Sequence, residues 1–161
     1  MVYNGFVLRS LLHKQRNLFK LNKMRVFLDD IRTPAMSHNE SKGLGLDYSP
    51  TDKWVIARDY FEFVKIVNAN FYEIELVSFD HDLACVDNDG REWTGKDATD
   101  YLINFCLDHN THFPDWYAHT DNTAGRQNII GSIKGYLKSI EGKDLSDFRY
   151  YHNGIVNGKF V

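Results

Sequence analysis

The chain has 161 residues, a net charge of −3 at neutral pH, and a composition that is 43% hydrophobic and 14% aromatic. This length suits one domain, and the apolar share excludes a disordered chain. The slightly acidic balance argues against a dedicated DNA-binding protein, and no apolar run approaches the ~20 residues that a membrane span needs. The two cysteines, Cys85 and Cys106, form no disulfide or metal-binding pattern, so we expect a reducing, cytoplasmic compartment.

The first 23 residues differ from the rest of the chain, because they carry basic residues and no acidic one. Three interpretations stay open for them: a basic extension outside the fold, an organellar transit peptide, or a natural start of the protein at Met24. We favour the extension. The prediction is therefore one α/β domain over residues 24–161, preceded by a basic segment over residues 1–23.

The first predicted strand is the short apolar run of residues 25–28, which ends at the acidic pair Asp29 and Asp30. The next stretch, residues 31–53, contains prolines and glycines and is predicted to be a long loop. Loops of this length are uncommon in a compact domain and often carry function. A second strand is predicted over residues 54–57.

A helix is predicted after the second strand, because Asp59 can act as its N-cap and the apolar residues that follow recur at helical spacing. The third strand covers residues 74–79 and ends at Asp80, His81 and Asp82. This second group of charged residues again follows a buried strand directly.

The polar run of residues 87–90 has the composition of a calcium-binding loop. However, Cys85 and Lys96 occupy positions where that loop needs acidic ligands, so we predict an ordinary turn. Behind the turn, Thr94 and Asp97 form a capping box that predicts the start of another helix.

The fourth strand, residues 116–118, is aromatic and ends at His119. A helix is predicted after it, in which Gly131 and Gly135 would allow close approach to the sheet. The aromatic tail, residues 144–161, is expected to add a last strand or a hairpin.

Strands and helices alternate along the chain, which predicts an α/β fold with a mostly parallel sheet covered on both faces. In such sheets the ligand site lies outside the carboxyl ends of the strands. Three of the four predicted strands end in acidic residues or histidine. The fold and the chemistry therefore indicate the same edge of the sheet.

Four carboxylates stand at two of these strand ends, namely Asp29, Asp30, Asp80 and Asp82. Carboxylates held this close repel one another unless a positive charge lies between them. A Mg²⁺ or Mn²⁺ ion relieves that repulsion, because hard cations prefer carboxylate and water oxygens. We therefore predict one metal site, rather than four separate solvated acids or helix caps.

Two histidines, His81 and His119, follow strands at the same edge. Each could ligate a metal or transfer a proton near neutral pH, and each could equally be a satisfied structural histidine. Asn122, Gly125 and Arg126 precede or open the last predicted helix. A helix N-terminus offers unpaired N–H groups to a phosphate, although an ordinary strand-to-helix turn explains these residues as well.

Taken together, these motifs resemble the cyclic-phosphate-processing receiver-like domain family over about residues 24–140. The resemblance rests on Leu28-Asp29-Asp30-Ile31-Arg32-Thr33-Pro34, Trp54-Val55-Ile56-Ala57-Arg58, Ser78-Phe79-Asp80-His81-Asp82-Leu83, Thr94-Gly95 and His119-Thr120-Asp121-Asn122 with Gly125 and Asn128. It implies a flavodoxin-like or receiver-like three-layer sandwich. It also implies a role in processing or sensing cyclic phosphates in phage and bacterial conflict systems.

The resemblance also implies roles for single residues. Asp29 and Asp30 match the acidic pair that holds Mg²⁺ in receivers, Asp80 matches the phosphoacceptor position, and Thr120 stands where receivers keep Ser or Thr. Two features depart from the pattern. The turn after the fourth strand lacks the usual Ser-Ala-Asn-Pro, and the lysine that follows a fifth strand in receivers has no clear match, which argues against phosphoaspartate signalling.

The predicted function is a metal-dependent phosphoesterase that processes a cyclic or other small nucleotide phosphate. The residues predicted to take part in its chemistry are His119, His81 and Asp80, with one of the two histidines moving the proton. The predicted phosphate-binding residues are Arg32, Thr120, Asn122, Gly125 and Arg126. The alternative is a receiver-like module that binds a nucleotide signal or a protein partner without turnover.

Overall fold

A computed structural model describes residues 23–40, 48–140, 154–156 and 159–160 of the chain. The strands in these ranges are β1 (Met24–Leu28), β2 (Trp54–Ala57), β3 (Ile74–Phe79), β4 (Cys85–Val86), β5 (Glu92–Trp93), β6 (Asp115–Ala118), β7 (Gly154–Val156) and β8 (Lys159–Phe160). The helices are α1 (Pro34–Glu40), α2 (Tyr60–Asn70), α3 (Gly95–Asp108) and α4 (Thr123–Ser139). Short 3-10 turns, Thr51–Lys53 and Phe71–Glu73, precede β2 and β3.

Six of these strands form one sheet in the order β2-β1-β3-β6-β7-β8. The first four pair in parallel, and β7 and β8 add an antiparallel hairpin beside β6. The strands β4 and β5 form a separate antiparallel pair. The predicted receiver-like α/β fold with a mostly parallel sheet is confirmed, as is the hairpin expected in the tail.

One face of the sheet packs against three helices. Strand side chains alternate between the two faces, and Val26, Leu28, Val77 and Phe79 belong to the same buried cluster. The helices α2, α3 and α4 contribute to that cluster Phe63, Val67, Ala98, Leu102, Ile129 and Ile133. This apolar layer holds the three helices against one face of the sheet.

The opposite face carries a second, aromatic cluster. Phe27, Leu76 and Tyr117 alternate with the residues of the first cluster and pack with Tyr48 and Trp54. Tyr48 is fully buried, and its carbonyl oxygen accepts a hydrogen bond from Trp54 Nε1 at 2.9 Å. The ring of Phe27 meets those of Tyr48 and Trp54 edge-on. This cluster, which we call the aromatic face, lies directly behind the site described below.

Two predicted helix starts are confirmed. The side chain of Asp59 accepts a hydrogen bond from the Glu62 N–H at 2.8 Å and caps α2. Thr94 and Asp97 form the reciprocal capping box that begins α3. Residues 87–90 form the predicted turn, in which Gly90 has a φ of 80°.

Two sequence expectations are wrong. The predicted loop over residues 31–53 contains α1, because Pro34 stands at the first helical position, where its missing N–H costs no hydrogen bond. Gly131 and Gly135 do not bring α4 close to the sheet, since both are exposed and a Cβ at either position would contact nothing.

The predicted basic extension falls almost wholly on residues 1–22, which lie outside the described residues, so it stays a prediction. No helix in the described ranges is long and apolar enough to cross a membrane.

Candidate functional site

The site forms where the four parallel strands end, because their last residues lie level with one another. The last residues of β1, β2, β3 and β6 pair in register, and the residues that follow three of them are Asp29, Asp80 and His119. The N–H of Asp80 donates to the Leu28 carbonyl, and that of His119 to the Phe79 carbonyl, both at 2.9 Å. The ladder therefore continues into the site and holds these residues side by side.

Three carboxylates converge at this edge. One oxygen from each of Asp29, Asp30 and Asp80 lies within 4.8 Å of the other two. Asp29 and Asp80 are buried, whereas Asp30 is partly exposed. Burial first, and then the negative charges of Asp29 and Asp80, raise the pKa of Asp30 above its ordinary value. A set of three hard oxygen donors under mutual repulsion fits a divalent cation such as Mg²⁺ or Mn²⁺.

Arg32 places a positive charge among these acids. Its Nε donates to Asp29 Oδ2 at 2.7 Å, and its two terminal nitrogens lie 3.2 Å from Asp80 Oδ2 and 3.3 Å from Asp121 Oδ2. Burial alone would lower the pKa of Arg32, but the charges of Asp29 and Asp80 raise it above its ordinary value. The guanidinium group therefore neutralises part of the acidic cluster.

Asp29 is 1% exposed and its carboxylate is held on both oxygens. Oδ1 accepts hydrogen bonds from the N–H groups of Ile31, at 2.8 Å, and Arg32, while Oδ2 accepts from Arg32 Nε and from His119 Nε2 at 3.0 Å. Burial alone would raise the pKa of Asp29, but the hydrogen bonds from His119, Arg32 and Ile31 hold it well below its ordinary value. A cation that takes an Asp29 oxygen must therefore share it with Arg32 or displace that side chain.

His119 lies behind Asp29, with a side chain that is 2% exposed. Its Nε2 bonds to Asp29 and its Nδ1 lies 2.7 Å from Ser78 Oγ, so both ring nitrogens are occupied. The ring stacks on Phe27 with 4.5 Å between centroids. Burial lowers the pKa of His119 and favours the neutral ring. Its role as a proton carrier stays a prediction that this geometry does not favour.

His81 contacts Asp82, which in turn contacts Asn122. Its Nδ1 donates to Asp82 Oδ1 at 2.9 Å, and Asn122 Nδ2 donates to both Asp82 oxygens at 3.1 and 3.2 Å. The hydrogen bond from His81 is the main cause that lowers the pKa of Asp82. The structure does not bring Asp82 into the group of three carboxylates, and its oxygens accept from His81 and Asn122 instead.

Gly125 leaves room for the His81 side chain. A Cβ at this position would overlap the His81 ring, so only glycine leaves room for the histidine against the first turn of α4. The N–H of Gly125 already donates to Asn122 Oδ1 at 2.8 Å, which caps that helix. The N–H group that we predicted to bind a phosphate is thus used by a side chain of the protein itself.

Thr120 and Arg126 do not line the pocket. Thr120 is 1% exposed, and its hydroxyl accepts a hydrogen bond from the Asn122 N–H at 3.2 Å. Arg126 donates to the Thr120 carbonyl through a terminal nitrogen, and its Nε has no partner among the described residues. Their predicted contact with phosphate remains untested, and both now have a local structural role.

The pocket in front of the carboxylates has a volume of about 540 Å³. Its lining consists of Asp29, Asp30, Ile31, Arg32, Asp80, Asp82 and Asp121. A cavity of this size falls in the range of small-molecule sites. Four of its seven lining residues are among the predicted metal ligands, and a fifth is the predicted phosphate-binding Arg32.

Sequence reasoning missed several supporting residues. Arg58 donates to the carbonyl oxygens of Asp29 at 3.0 Å and Arg32 at 2.6 Å, and so fixes the loop between them. Ser78 is buried behind the site and could have been found, because it stands two positions before Asp80 and shares its face of β3. Tyr48 gave no signal, since it lies in a segment predicted as loop.

A family model described as the cyclic-phosphate processing receiver domain matches residues 24–135, which is more than half of the chain. The match spans every residue of the site, from Asp29 to Arg126. No curated protein and no solved structure matches the chain significantly.

Proposed function

The chain belongs to the cyclic-phosphate processing receiver domain family, and from that premise we propose that it is a metal-dependent phosphoesterase acting on a small cyclic phosphate. The resemblance found in the sequence motifs is thereby confirmed as family membership. The observation that carries the proposed activity is the approach of one oxygen each from Asp29, Asp30 and Asp80 to within 4.8 Å. These three residues would hold Mg²⁺ or Mn²⁺.

When bound, such an ion supplies charge that stabilises the phosphoryl oxygens and helps to orient a water. The residues of this chain supply the rest. Asp29 and Asp80 are buried and hydrogen-bonded, so their oxygens are held in place before any ligand arrives. Arg32 lines the pocket and would bond to the non-reacting phosphate oxygens once it leaves Asp80.

His81 is the histidine whose surroundings support proton transfer. Its side chain is 15% exposed, and its Nδ1 is bound to Asp82, which Asn122 holds in turn. A general base oriented by a carboxylate in this way leaves the other ring nitrogen, Nε2, to exchange a proton with substrate or water. Proton transfer by a positioned histidine typically contributes about 10²–10⁴-fold in rate.

One observation favours the alternative, a receiver-like module that binds a nucleotide without turnover. The guanidinium group of Arg32 already pairs with Asp29 and Asp80, so the site can be neutral enough to fold without an added cation. Such a module would capture a phosphate through Arg32 and need no metal.

A panel of cyclic mono-, di- and trinucleotides, assayed with Mn²⁺ and with EDTA, separates the two functions. The enzyme should hydrolyse at least one nucleotide with Mn²⁺, lose that turnover in EDTA and in Asp30→Asn, and keep it in Asp89→Asn. Asp89 is the control because it is an exposed acid in the β4–β5 turn. Binding that persists in EDTA without any turnover would favour the module, and the absence of both would contradict both functions.

A further inference from the structure

Behind the acidic cluster, four buried polar side chains form one continuous series of hydrogen bonds. Tyr48 Oη lies 3.0 Å from Ser78 Oγ, Ser78 Oγ lies 2.7 Å from His119 Nδ1, and His119 Nε2 lies 3.0 Å from Asp29 Oδ2. Tyr48 and Ser78 are fully buried, and Asp29 and His119 nearly so. The proposed chemistry uses neither Tyr48 nor Ser78, so their alignment with a pocket carboxylate needs its own explanation.

The period of the strands places three of the four on the aromatic face. Asp29 stands two positions after Phe27, Ser78 two after Leu76 and His119 two after Tyr117, so each lies on the same side of the sheet as that neighbour. Phe27 stacks on the imidazole of His119, and the ring of Tyr48 stands perpendicular to it at 6.3 Å. These rings surround the hydrogen bonds with apolar surface and shield them from competing water.

In one arrangement of donors and acceptors along this series, every hydrogen has an acceptor. The Asp29 carboxylate accepts, so the Nε2–H of His119 donates to it. If Nδ1 accepts from the Ser78 hydroxyl, that hydroxyl oxygen can accept from Tyr48. In the opposite direction, the Tyr48 hydroxyl hydrogen would be buried without an acceptor among the described residues, which folded proteins avoid. The satisfied direction requires a neutral ring with its hydrogen on Nε2.

We propose that Tyr48, Ser78 and His119 are positioning residues: Tyr48 and Ser78 orient the neutral His119 ring, and the Nε2–H of that ring holds Asp29 for its part in the pocket. The proposal rests on the proposed function in one respect, because it takes Asp29 as a ligand of the cation. His119 acts through Asp29 and exchanges no proton with the substrate, which leaves that role to His81.

The tautomer can be measured without any ligand. In nitrogen-15 spectra of the histidine rings of the metal-free chain, His119 should show one pyrrole-type and one pyridine-type nitrogen, with the hydrogen on Nε2. Ser78→Ala should keep the hydrogen on Nε2, because Asp29 still accepts it, but should shift the Nδ1 resonance as that nitrogen loses its hydrogen bond. Ser37→Ala should change neither. Ser37 is a matched control, since it is also buried and its hydroxyl has no partner among the described residues. An Nδ1–H tautomer or a charged ring in the unmodified chain would overturn the proposal.

The effect on the pocket is measured as Mn²⁺ affinity by calorimetry. His119→Phe keeps a ring on Phe27 but removes both nitrogens, and loss of such a supporting hydrogen bond should weaken Mn²⁺ binding about tenfold. His119→Gln, whose amide can still donate to Asp29, should recover most of that loss. Equal affinity in both variants and the unmodified chain would overturn the proposal.

Two conservative variants keep the test decisive if His119→Phe does not fold. Tyr48→Phe and Ser78→Ala leave the imidazole in place and should each weaken Mn²⁺ binding, whereas Tyr136→Phe, a buried tyrosine on the other face, should not. Unchanged Mn²⁺ affinity in both would overturn the proposal. If the unmodified chain binds no Mn²⁺ at all, the proposed function fails, and the tautomer spectrum then decides the positioning role alone.

Discussion

The side chain of Arg32 turns back onto Asp29, three residues earlier, and donates a hydrogen bond from Nε to Oδ2 at 2.7 Å. The same guanidinium group reaches Asp80 on the neighbouring strand. A side-chain cation thus occupies the space between two carboxylates that would also ligate a metal. Arg32 and a divalent ion therefore compete for the same oxygens, and this competition can be measured.

Arg32→Gln should tighten Mn²⁺ binding, because the variant removes a competing positive charge. A gain of about tenfold corresponds to about 1.4 kcal/mol. In the metal-free chain the same change removes the guanidinium partner of two buried carboxylates, so the free energy of unfolding should fall by about 3 kcal/mol. Calorimetric titration and denaturant unfolding measure the two effects.

The matched control for this variant is Arg25→Gln. Arg25 pairs with Glu75 at 2.9 Å at the opposite end of β1, where both side chains are partly exposed. Its loss should cost no more than about 1 kcal/mol and leave Mn²⁺ affinity unchanged. Weaker Mn²⁺ binding in Arg32→Gln would show that the arginine supports the cation site rather than competing with it.

Asp30→Asn should weaken Mn²⁺ binding yet stabilise the metal-free chain at neutral pH. Because the pKa of Asp30 is raised in the folded state, its ionisation destabilises the fold as pH rises through that pKa. The variant removes this penalty. Its advantage in free energy of unfolding should be present at pH 7 and disappear below the ordinary pKa of 3.8.

Unfolding in EDTA across this pH range checks the prediction, with Asp89→Asn as the exposed control. An advantage that stays constant from pH 7 to acid would mean that the charge of Asp30 is not its source. Unchanged Mn²⁺ affinity in Asp30→Asn would remove this residue from the cation site.

A chain that begins at Met24 should fold with nearly the same stability as the full chain. Residues 1–23 carry no acidic residue, and β1 begins at Met24. Truncation outside the core should change the free energy of unfolding by no more than about 0.5 kcal/mol. Denaturant unfolding of both chains measures this, and a loss of several kcal/mol would show that the first segment packs on the domain.

The strand ends are predictable from sequence because apolar runs stop abruptly at charged residues. That pattern alone places Asp29, Asp30, Asp80 and His119 at one edge of the sheet. What it does not provide is the partner of each side chain. Asp82 faces His81 rather than the other acids, and Arg32 turns into the cluster, because loop conformation decides these contacts and carries no simple period.

Sequence patterns also do not predict which residues contact His119 in the fold. Its burial depends on Tyr48, which approaches from a segment whose composition indicates only a loop. The helix over residues 34–40 escapes prediction for a different reason, since proline marks both loops and first helical turns. Long-range packing decides the burial of His119, whereas the position of Pro34 decides the helix.

Gly125→Ala should disable His81 without touching a charged group. The added Cβ would overlap the Cγ, Cδ2 and Cβ atoms of His81, so that side chain must move. Turnover should fall about 10²-fold, the lower range for a displaced general acid or base. Gly135→Ala in the same helix is the control, because it adds a methyl group into open space and should stabilise the fold by up to about 1 kcal/mol. Equal turnover in both variants would show that the position of His81 does not matter.

His81→Ala then decides between enzyme and binding module. His81 is held by Asp82 and is partly exposed, whereas the anion contacts are expected from Arg32. In an enzyme the variant should lose about 10²-fold or more in kcat while KM changes little, because proton transfer matters only in the transition state.

The control for that measurement is His109→Ala. His109 lies at the end of α3 and stacks on Phe105, away from the residues that line the pocket. Its loss should leave kcat unchanged.

If His81→Ala retains full turnover and an unchanged melting temperature, His81 carries no proton in the reaction. The other histidine at this edge of the sheet, His119, would then have to be reconsidered as the proton carrier. If neither variant nor the unmodified chain turns over any cyclic nucleotide, a binding defect confined to Arg32→Gln would identify the site as a capture module.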